Sequence, residues 1–402
     1  MKRLAGAVAI GAVLRLPLSE PATFVTVAQA DAHGSPLDTA SAAVSADARY
    51  VAFVSSSQLV AGDTNRQRDI YVLDRADGKV TLESALLNGG AAHGDADHPS
   101  ISADGRWLIY SVLDTVVAQD RREGATRILS KGRDAVIDLD GNLVAFTSSA
   151  TNIVAGHDAN GASEDVYLAD LRSGVVRRIS VDNLGLQPAT GSSMAPSISS
   201  DGRYVAFSST APLVAANNKR VSYVYVRDTQ LHTTKAIALG WRPAISAGGN
   251  YVAFISAVGN LVTNDRNDLP DVFLADLETG DIELISRNTK GRSGNGASAN
   301  PAVSSDGRLI VFQSEAADLV CASHCARALE DINLLWDVFV FDRQLRMTRR
   351  LSSDPTTTWM EASIGPTIDA GGTVVAFSSR HPIDPSDKAN DLDLFIRQLF
   401  PP

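Results

Sequence analysis

Seven near copies of one thirteen-residue string, an Asp-Gly or Gly-Gly pair inside six of them, and no competing helical periodicity predict an all-β chain. The expected architecture is a seven-bladed β-propeller of four-stranded antiparallel blades. The clearest copy is Pro196-Ser197-Ile198-Ser199-Ser200-Asp201-Gly202-Arg203-Tyr204-Val205-Ala206-Phe207-Ser208, and others begin at Ala43, Pro99, Ala135, Pro243, Pro301 and Pro366.

The chain opens Met1-Lys2-Arg3 and continues with an apolar run from Leu4 to Leu14, the charge-then-apolar order of an export signal. That run is too short for a transmembrane segment. Residues 1–22 are therefore read as an export signal or a disordered N-terminus, and 23–402 as one propeller placed in the periplasm or secreted. Ala28-Gln29-Ala30 supplies a small-x-small cleavage pattern. Thr23 to Ala28 also reads as an isolated fourth strand, and the last copy stops at Phe400-Pro401-Pro402 straight after its third. The N-terminal strand is expected to complete that last blade and remove the exposed edges of an open array. Cleavage after Ala30 would delete it, so the two expectations exclude each other.

Within each copy a short strand such as Ser197–Ser199 leads through the turn to an apolar strand such as Tyr204–Ser208. Asp-Gly between two such runs marks a hairpin, because the turn needs positive φ and glycine supplies it without a Cβ clash. Asp104-Gly105, Asp140-Gly141, Asp201-Gly202 and Asp306-Gly307 fit; Gly248-Gly249 and Gly371-Gly372 substitute, and Asp47-Ala48 departs. Third strands follow at Asp69–Val72, Asp165–Leu168, Asp271–Leu274, Asp337–Val340 and Asp393–Ile396, and fourth strands at Val175–Ser180 and Ile282–Ser286.

The recurring core, Pro-x-hydrophobic-Ser-x-Asp-Gly-Arg-aromatic-hydrophobic-Ala-Phe, resembles the TolB-like propeller repeats, a WD40-like Asp-Gly repeat family, from Ala43 to Phe400. The resemblance implies the propeller fold. The chain departs from TolB itself, having no room before Ala43 for the separate α/β domain that TolB carries, and more blades. Related propellers cap serine peptidases, but no Gly-x-Ser-x-Gly elbow is present.

Chemistry is expected on the face where the loops from second to third strands and from blade to blade emerge. The former are acidic at recurring positions: Asp63, Asn65 and Asp69; Asp158, Asn160 and Asp165; Asp265, Asn267 and Asp271; Asp387, Asp391 and Asp393. Oxygen ligands at such spacing suit calcium, which takes six to eight oxygens. The same residues also fold loops by accepting backbone N–H bonds, and an Asp before the third strand can anchor it without metal. The blade beginning at Pro99 lacks the acidic loop, and the one beginning at Pro196 carries Asn217, Asn218, Lys219 and Arg220 in its place.

Three further features complete the candidates. His93, Asp95, Asp97 and His98 lie close enough in sequence for zinc or acid–base work, although a solvated loop is the commoner outcome. The longest excursion runs from Cys321 to Trp336, making Trp336 a candidate recognition aromatic and Cys321–Cys325 a candidate local disulfide. A net charge of −10 argues against nucleic acid as partner.

No residue is singled out as catalytic. The expected function is a non-catalytic, monomeric module binding a protein or glycan through the loop-rich face. The alternative is a hydrolase or lyase with its site at the mouth of the central channel.

Overall fold

The computed structural model describes residues 24–27, 42–65, 67–84, 94–214, 221–320, 335–352, 362–380 and 393–400. His93, Asp387, Asp391 and both cysteines of the expected disulfide lie outside them, as does the segment from Asn217 to Arg220.

The described residues form seven four-stranded antiparallel sheets. Strand β1 (Phe24–Val27) stands apart in sequence. Blade 1 is β2 (Ala42–Val44), β3 (Tyr50–Ser55), β4 (Asp69–Asp74) and β5 (Lys79–Leu82). Blade 2 is β6 (Ala96–Ile101), β7 (Trp107–Val112), β8 (Thr115–Asp120) and β9 (Ala125–Lys131). Blade 3 is β10 (Arg133–Ile137), β11 (Leu143–Ser148), β12 (Asp165–Asp170) and β13 (Val176–Arg178). Blade 4 is β14 (Ser193–Ile198), β15 (Tyr204–Ser209), β16 (Tyr223–Asp228) and β17 (Thr233–Leu239). Blade 5 is β18 (Trp241–Ile245), β19 (Tyr251–Ser256), β20 (Asp271–Asp276) and β21 (Ile282–Leu284). Blade 6 is β22 (Ser298–Val303), β23 (Leu309–Ser314), β24 (Asp337–Asp342) and β25 (Met347–Arg350). Blade 7 is β26 (Ser363–Ile368), β27 (Val374–Ser379) and β28 (Asp393–Gln398), completed by β1 in the order β1-β28-β27-β26.

The expected closure is therefore present: β1 pairs with β28 antiparallel, from Phe24 opposite Arg397 to Val27 opposite Leu394. Processing that keeps this blade whole must cut before Phe24, and a cut after Ala30 would remove β1. Each first strand touches the first strand of the next blade, and β26 touches β2, so the innermost strands form a closed ring. Among the described residues no helix is long and apolar enough to cross a membrane.

The blades are buried on both faces, which explains why second and third strands read as apolar runs and do not alternate. Val51, Ala52, Ile70, Tyr71 and Val72 are all fully buried, and the same triplets recur around the ring. Six blades stack a second-strand Phe on the aromatic opposite it in the third, as in Phe207–Tyr225 at 5.9 Å and Phe377–Phe395 at 5.6 Å. Such a pair adds about 0.5–1.5 kcal/mol beyond its buried area.

The Asp-Gly turns also join blades. Gly202 has φ +66°, and a Cβ built on it would lie 2.2 Å from Leu143 Cδ1 of the preceding blade. Glycine is needed there for both its backbone and its size. In four blades a hairpin serine donates its hydroxyl to the Asp two residues on and accepts the N–H three further along; Ser199 does so with Asp201 and Tyr204. Blades 3 and 7 replace that serine with Asp138 and Asp369, whose Oδ1 atoms each accept two backbone N–H groups.

Two element boundaries differ from expectation. First strands start earlier than Ser197–Ser199 indicates, because a bulge carries the strand back to Ser193. Fourth strands are shorter, Val176–Arg178 and Ile282–Leu284, since Ser180 and Ser286 turn back to bond the start of the third strand.

Candidate binding site at the channel mouth

Six of the seven first strands carry the same irregularity. Ala195 and Pro196 together stand opposite Phe207 alone, because Met194 pairs with Ser208 and Ser197 with Ala206. The same two-against-one register puts His98-Pro99, Asp134-Ala135, Arg242-Pro243, Asn300-Pro301 and Gly365-Pro366 at equivalent places. The first member of each pair is left-handed, with φ between 48° and 64°. For His98, Ala195 and Arg242 that conformation costs about 1–2 kcal/mol each, which a glycine would not incur. A bulge re-aims side chains, and here it repeats at one level of the innermost strands.

The serines flanking the bulge hold it open. Ser100 Oγ accepts the Ile137 N–H of the next blade at 3.1 Å, and Ser197 Oγ accepts that of Ile245 at 3.0 Å. Hydroxyl pairs Ser193–Ser209, Ser298–Ser314 and Ser363–Ser379 tie first to second strands on the loop side.

The bulges border a cavity of about 740 Å³ at the mouth of the central channel, on the predicted loop face. Its wall combines Trp241, Met194 and the bulge prolines with Arg133, Asp134, His98 and Arg242. Neighbouring bulge residues touch laterally. His98 lies 3.7 Å from Asp134, and Arg242 Nη1 donates to Asn300 Oδ1 at 3.1 Å. Asn300 then donates to Gln313, whose Oε1 also accepts the Gly365 N–H. Arg133 pairs with Asp134 and with Glu164. No described carboxylate forms an ion pair with Arg242.

His98 lines the cavity, with Nδ1 3.7 Å from Asp97 Oδ1 and Nε2 3.7 Å from Asp134 Oδ1. The carboxylates of Asp95 and Asp97 turn to Arg68, at 3.5 and 3.3 Å. Trp336 does not line the cavity. It is half-buried, and its carbonyl accepts the Ser363 N–H of the next blade, as the carbonyls of Arg68, Glu164 and Pro270 do in theirs. Sequence reasoning missed the bulge residues. Their signal was a position that varies from His to Asp, Ala, Arg, Asn and Gly while the string after it repeats.

The acidic loops lie further out. Five third strands begin with Asp, and four of these are fixtures: Asp69, Asp165, Asp271 and Asp337 accept the hydroxyls of Ser84, Ser180, Ser286 and Ser352 at 2.5–2.7 Å. Each serine in turn accepts the next N–H of that strand. Asp393 occupies the same place in blade 7 and is buried.

The second carboxylate of each loop is treated differently from blade to blade. Asp63 accepts the Tyr71 hydroxyl at 2.6 Å and the Asn65 N–H at 3.3 Å. Asp158 and Asp165 receive Arg178, at 3.0 and 3.3 Å, and Gln187, whose Nε2 also reaches Asn160. In blade 5, Asp265 Oδ1, Asp265 Oδ2 and Asp271 Oδ2 are buried without a hydrogen-bond partner. Burial, with Asp265 adding to it, pushes the Asp271 carboxyl up to about 7. Among the described residues no three His, Cys, Asp or Glu side chains converge on one metal position.

No family model matches the chain, and no curated protein does. Solved structures resemble it in fold. Acylaminoacyl peptidase of Pyrococcus horikoshii is 11% identical with a TM-score of 0.53; the match covers 90% of this chain and 52% of that one, so this chain spans about half its length. The β-propeller domain of the Trilobed protease of Pyrococcus furiosus is 10% identical with a TM-score of 0.54, over 90% of this chain and 96% of that one. A protein assigned as TolB from Agrobacterium tumefaciens is 14% identical, with a TM-score of 0.45 over 83% of this chain and 98% of that one. The Pyrococcus furiosus domain has an open velcro topology, whereas here β1 pairs with β28. The chain is a seven-bladed β-propeller, and these similarities extend to its fold alone.

Proposed function

We propose that this protein is an exported, non-catalytic binding module that takes a protein partner at the loop-side mouth of its channel. One observation carries the reading: six bulges in left-handed conformations bring five different side chains and a glycine from six blades to a single rim. Residues held in sparsely populated backbone conformations cluster at binding sites, which supports reading this rim as one.

The composition of the rim suits a peptide segment. Trp241, Met194 and the prolines offer apolar contact, and Arg242, which has no carboxylate counterion among the described residues, offers a charged hydrogen-bond donor. Aromatic and arginine side chains at the centre of a patch supply most binding energy in protein interfaces. An acidic or carboxyl-terminal segment is the natural complement to Arg242. The Met1-Lys2-Arg3 start followed by an apolar run supports export.

The test compares partners retained by the immobilised wild-type chain with those retained by Trp241→Ala/Arg242→Glu. Leu231→Asp/Leu345→Asp, on the opposite face, serves as control. Loss of specific protein partners by the first variant alone supports the reading. Equal retention by all three, or binding only to glycans, overturns it.

A further inference from the structure

Blades 1, 3 and 5 build the same pair of buried carboxylates and complete it with different chemistry. The residue deciding this on the fourth strand faces the third-strand aromatic. In blade 3 that register pairs Tyr167 with Arg178, and in blade 6 Phe339 with Arg350, whose Nη1 lies 3.6 Å from Asp337 Oδ2. A guanidinium therefore enters the loop from the fourth strand in both. Blade 1 has Leu82 there, but its aromatic is Tyr71, whose hydroxyl satisfies Asp63.

Blade 5 has neither device. Phe273 replaces the tyrosine and Leu284, fully buried, replaces the arginine. Asp265 is 5% exposed and Asp271 0%. The Asn267 N–H, the Ser293 hydroxyl and the Arg266 N–H lie near enough to lower the proton affinity of Asp265, and the Asn267 side chain that of Asp271, yet none of them completes a hydrogen bond to Asp265 Oδ1, Asp265 Oδ2 or Asp271 Oδ2. The Ser293 Oγ accepts the Arg266 N–H, and the Asn267 side-chain amide is bonded to Gly294 O and the Leu269 N–H. No described Lys or Arg forms an ion pair with either carboxylate. Asp69 Oδ2 in blade 1 is left without a donor as Asp271 Oδ2 is, so what sets blade 5 apart is Asp265, with both oxygens buried and unpaired, a desolvation penalty that a cation, a proton or ordered water relieves.

We propose that Asp265 and Asp271 hold a calcium-class divalent cation in the second-to-third-strand loop of blade 5, in the role that the Arg178 guanidinium fills in blade 3. Calcium suits a site of two carboxylates supplemented by carbonyl, amide, hydroxyl or water oxygens. A softer metal does not, because no described Cys or His accompanies them.

The comparison between blades supplies the test. The full chain, stripped of metal with a chelator and titrated with calcium chloride, is followed by calorimetry for stoichiometry and by melting temperature. Wild type is expected to bind calcium and to melt higher by about 2–4 °C with it. Asp265→Asn is expected to bind one equivalent fewer and to lose that rise. Leu284→Arg, which copies the blade 3 solution, is expected to bind one equivalent fewer while melting without calcium at least as high as metal-free wild type. This second variant separates loss of the site from failure to fold. No calcium binding by wild type overturns the proposal, as do wild-type stoichiometries in both variants. In the former case protonation or ordered water satisfies the pair.

Discussion

At the residue scale, the ring repeats one solution with local substitutions whose consequences are predictable. Tyr71 gives Asp63 a hydroxyl in blade 1, and the carboxylate is otherwise buried. Tyr71→Phe should therefore lower stability by about 1–3 kcal/mol, the cost of an unsatisfied buried acceptor, measured by denaturant unfolding. Asp138 stands where most blades have serine, and burial raises its carboxyl above the ordinary carboxylate range although backbone N–H groups oppose this. As pH climbs through that range the unfolded chain releases this proton first, so Asp138 costs stability progressively until its own folded value is passed. Asp138→Ser should accordingly gain on wild type as pH rises from about 4, the value of the unfolded carboxyl, through the raised folded one. A constant difference in melting temperature across that interval would contradict the assignment.

At the element scale, the sequence disclosed what repeats and concealed what varies. Asp201-Gly202 and its relatives marked the inner hairpins because a two-strand turn restricts its residues tightly. The turn between β7 and β8 was harder to read: Leu113 and Asp114 both take positive φ, which aspartate tolerates but leucine does not advertise. The bulge at Ala195-Pro196 was equally hidden, since nothing in the composition of Met194-Ala195-Pro196 demands a left-handed alanine. Candidate calcium positions were legible as a pattern. What the pattern omitted was the partner from the fourth strand, Arg178 or Leu284, which only register brings opposite the loop.

Two predictions belong to this scale. Removing residues 1–30 deletes β1 and exposes β28 as an edge, so this truncation should melt well below a 1–22 deletion and aggregate more readily. Similar melting of the two would show that β1 does not hold the ring. Gly202→Ala should destabilise by about 1–2 kcal/mol or more, through positive φ and contact with Leu143 of the neighbouring blade.

At the scale of the whole molecule, the two faces of the propeller differ in construction. One carries the Asp-Gly turns, locked by repeated Arg–Asp pairs such as Arg203–Asp228 and Arg308–Asp342, and varies little from blade to blade. The other carries the loops, the bulges and the cavity, and there six blades present six different residues. Surface ion pairs of the first kind contribute little individually, but they fix turn geometry while leaving the second face free to vary. A rigid ring with one uniform and one variable face is the arrangement expected of a recognition scaffold.

The most direct measurement places a photoreactive amino acid at Met194, 37% exposed at the channel mouth, or at Leu231, 66% exposed on the opposite face, and identifies adducts formed by the full chain in its native cells. Discrete protein adducts from Met194, absent from Leu231 and lost when Arg242→Glu is added, are the predicted result. Adducts from Leu231 alone, or Met194 adducts indifferent to Arg242→Glu, would contradict a partner seated at the channel mouth.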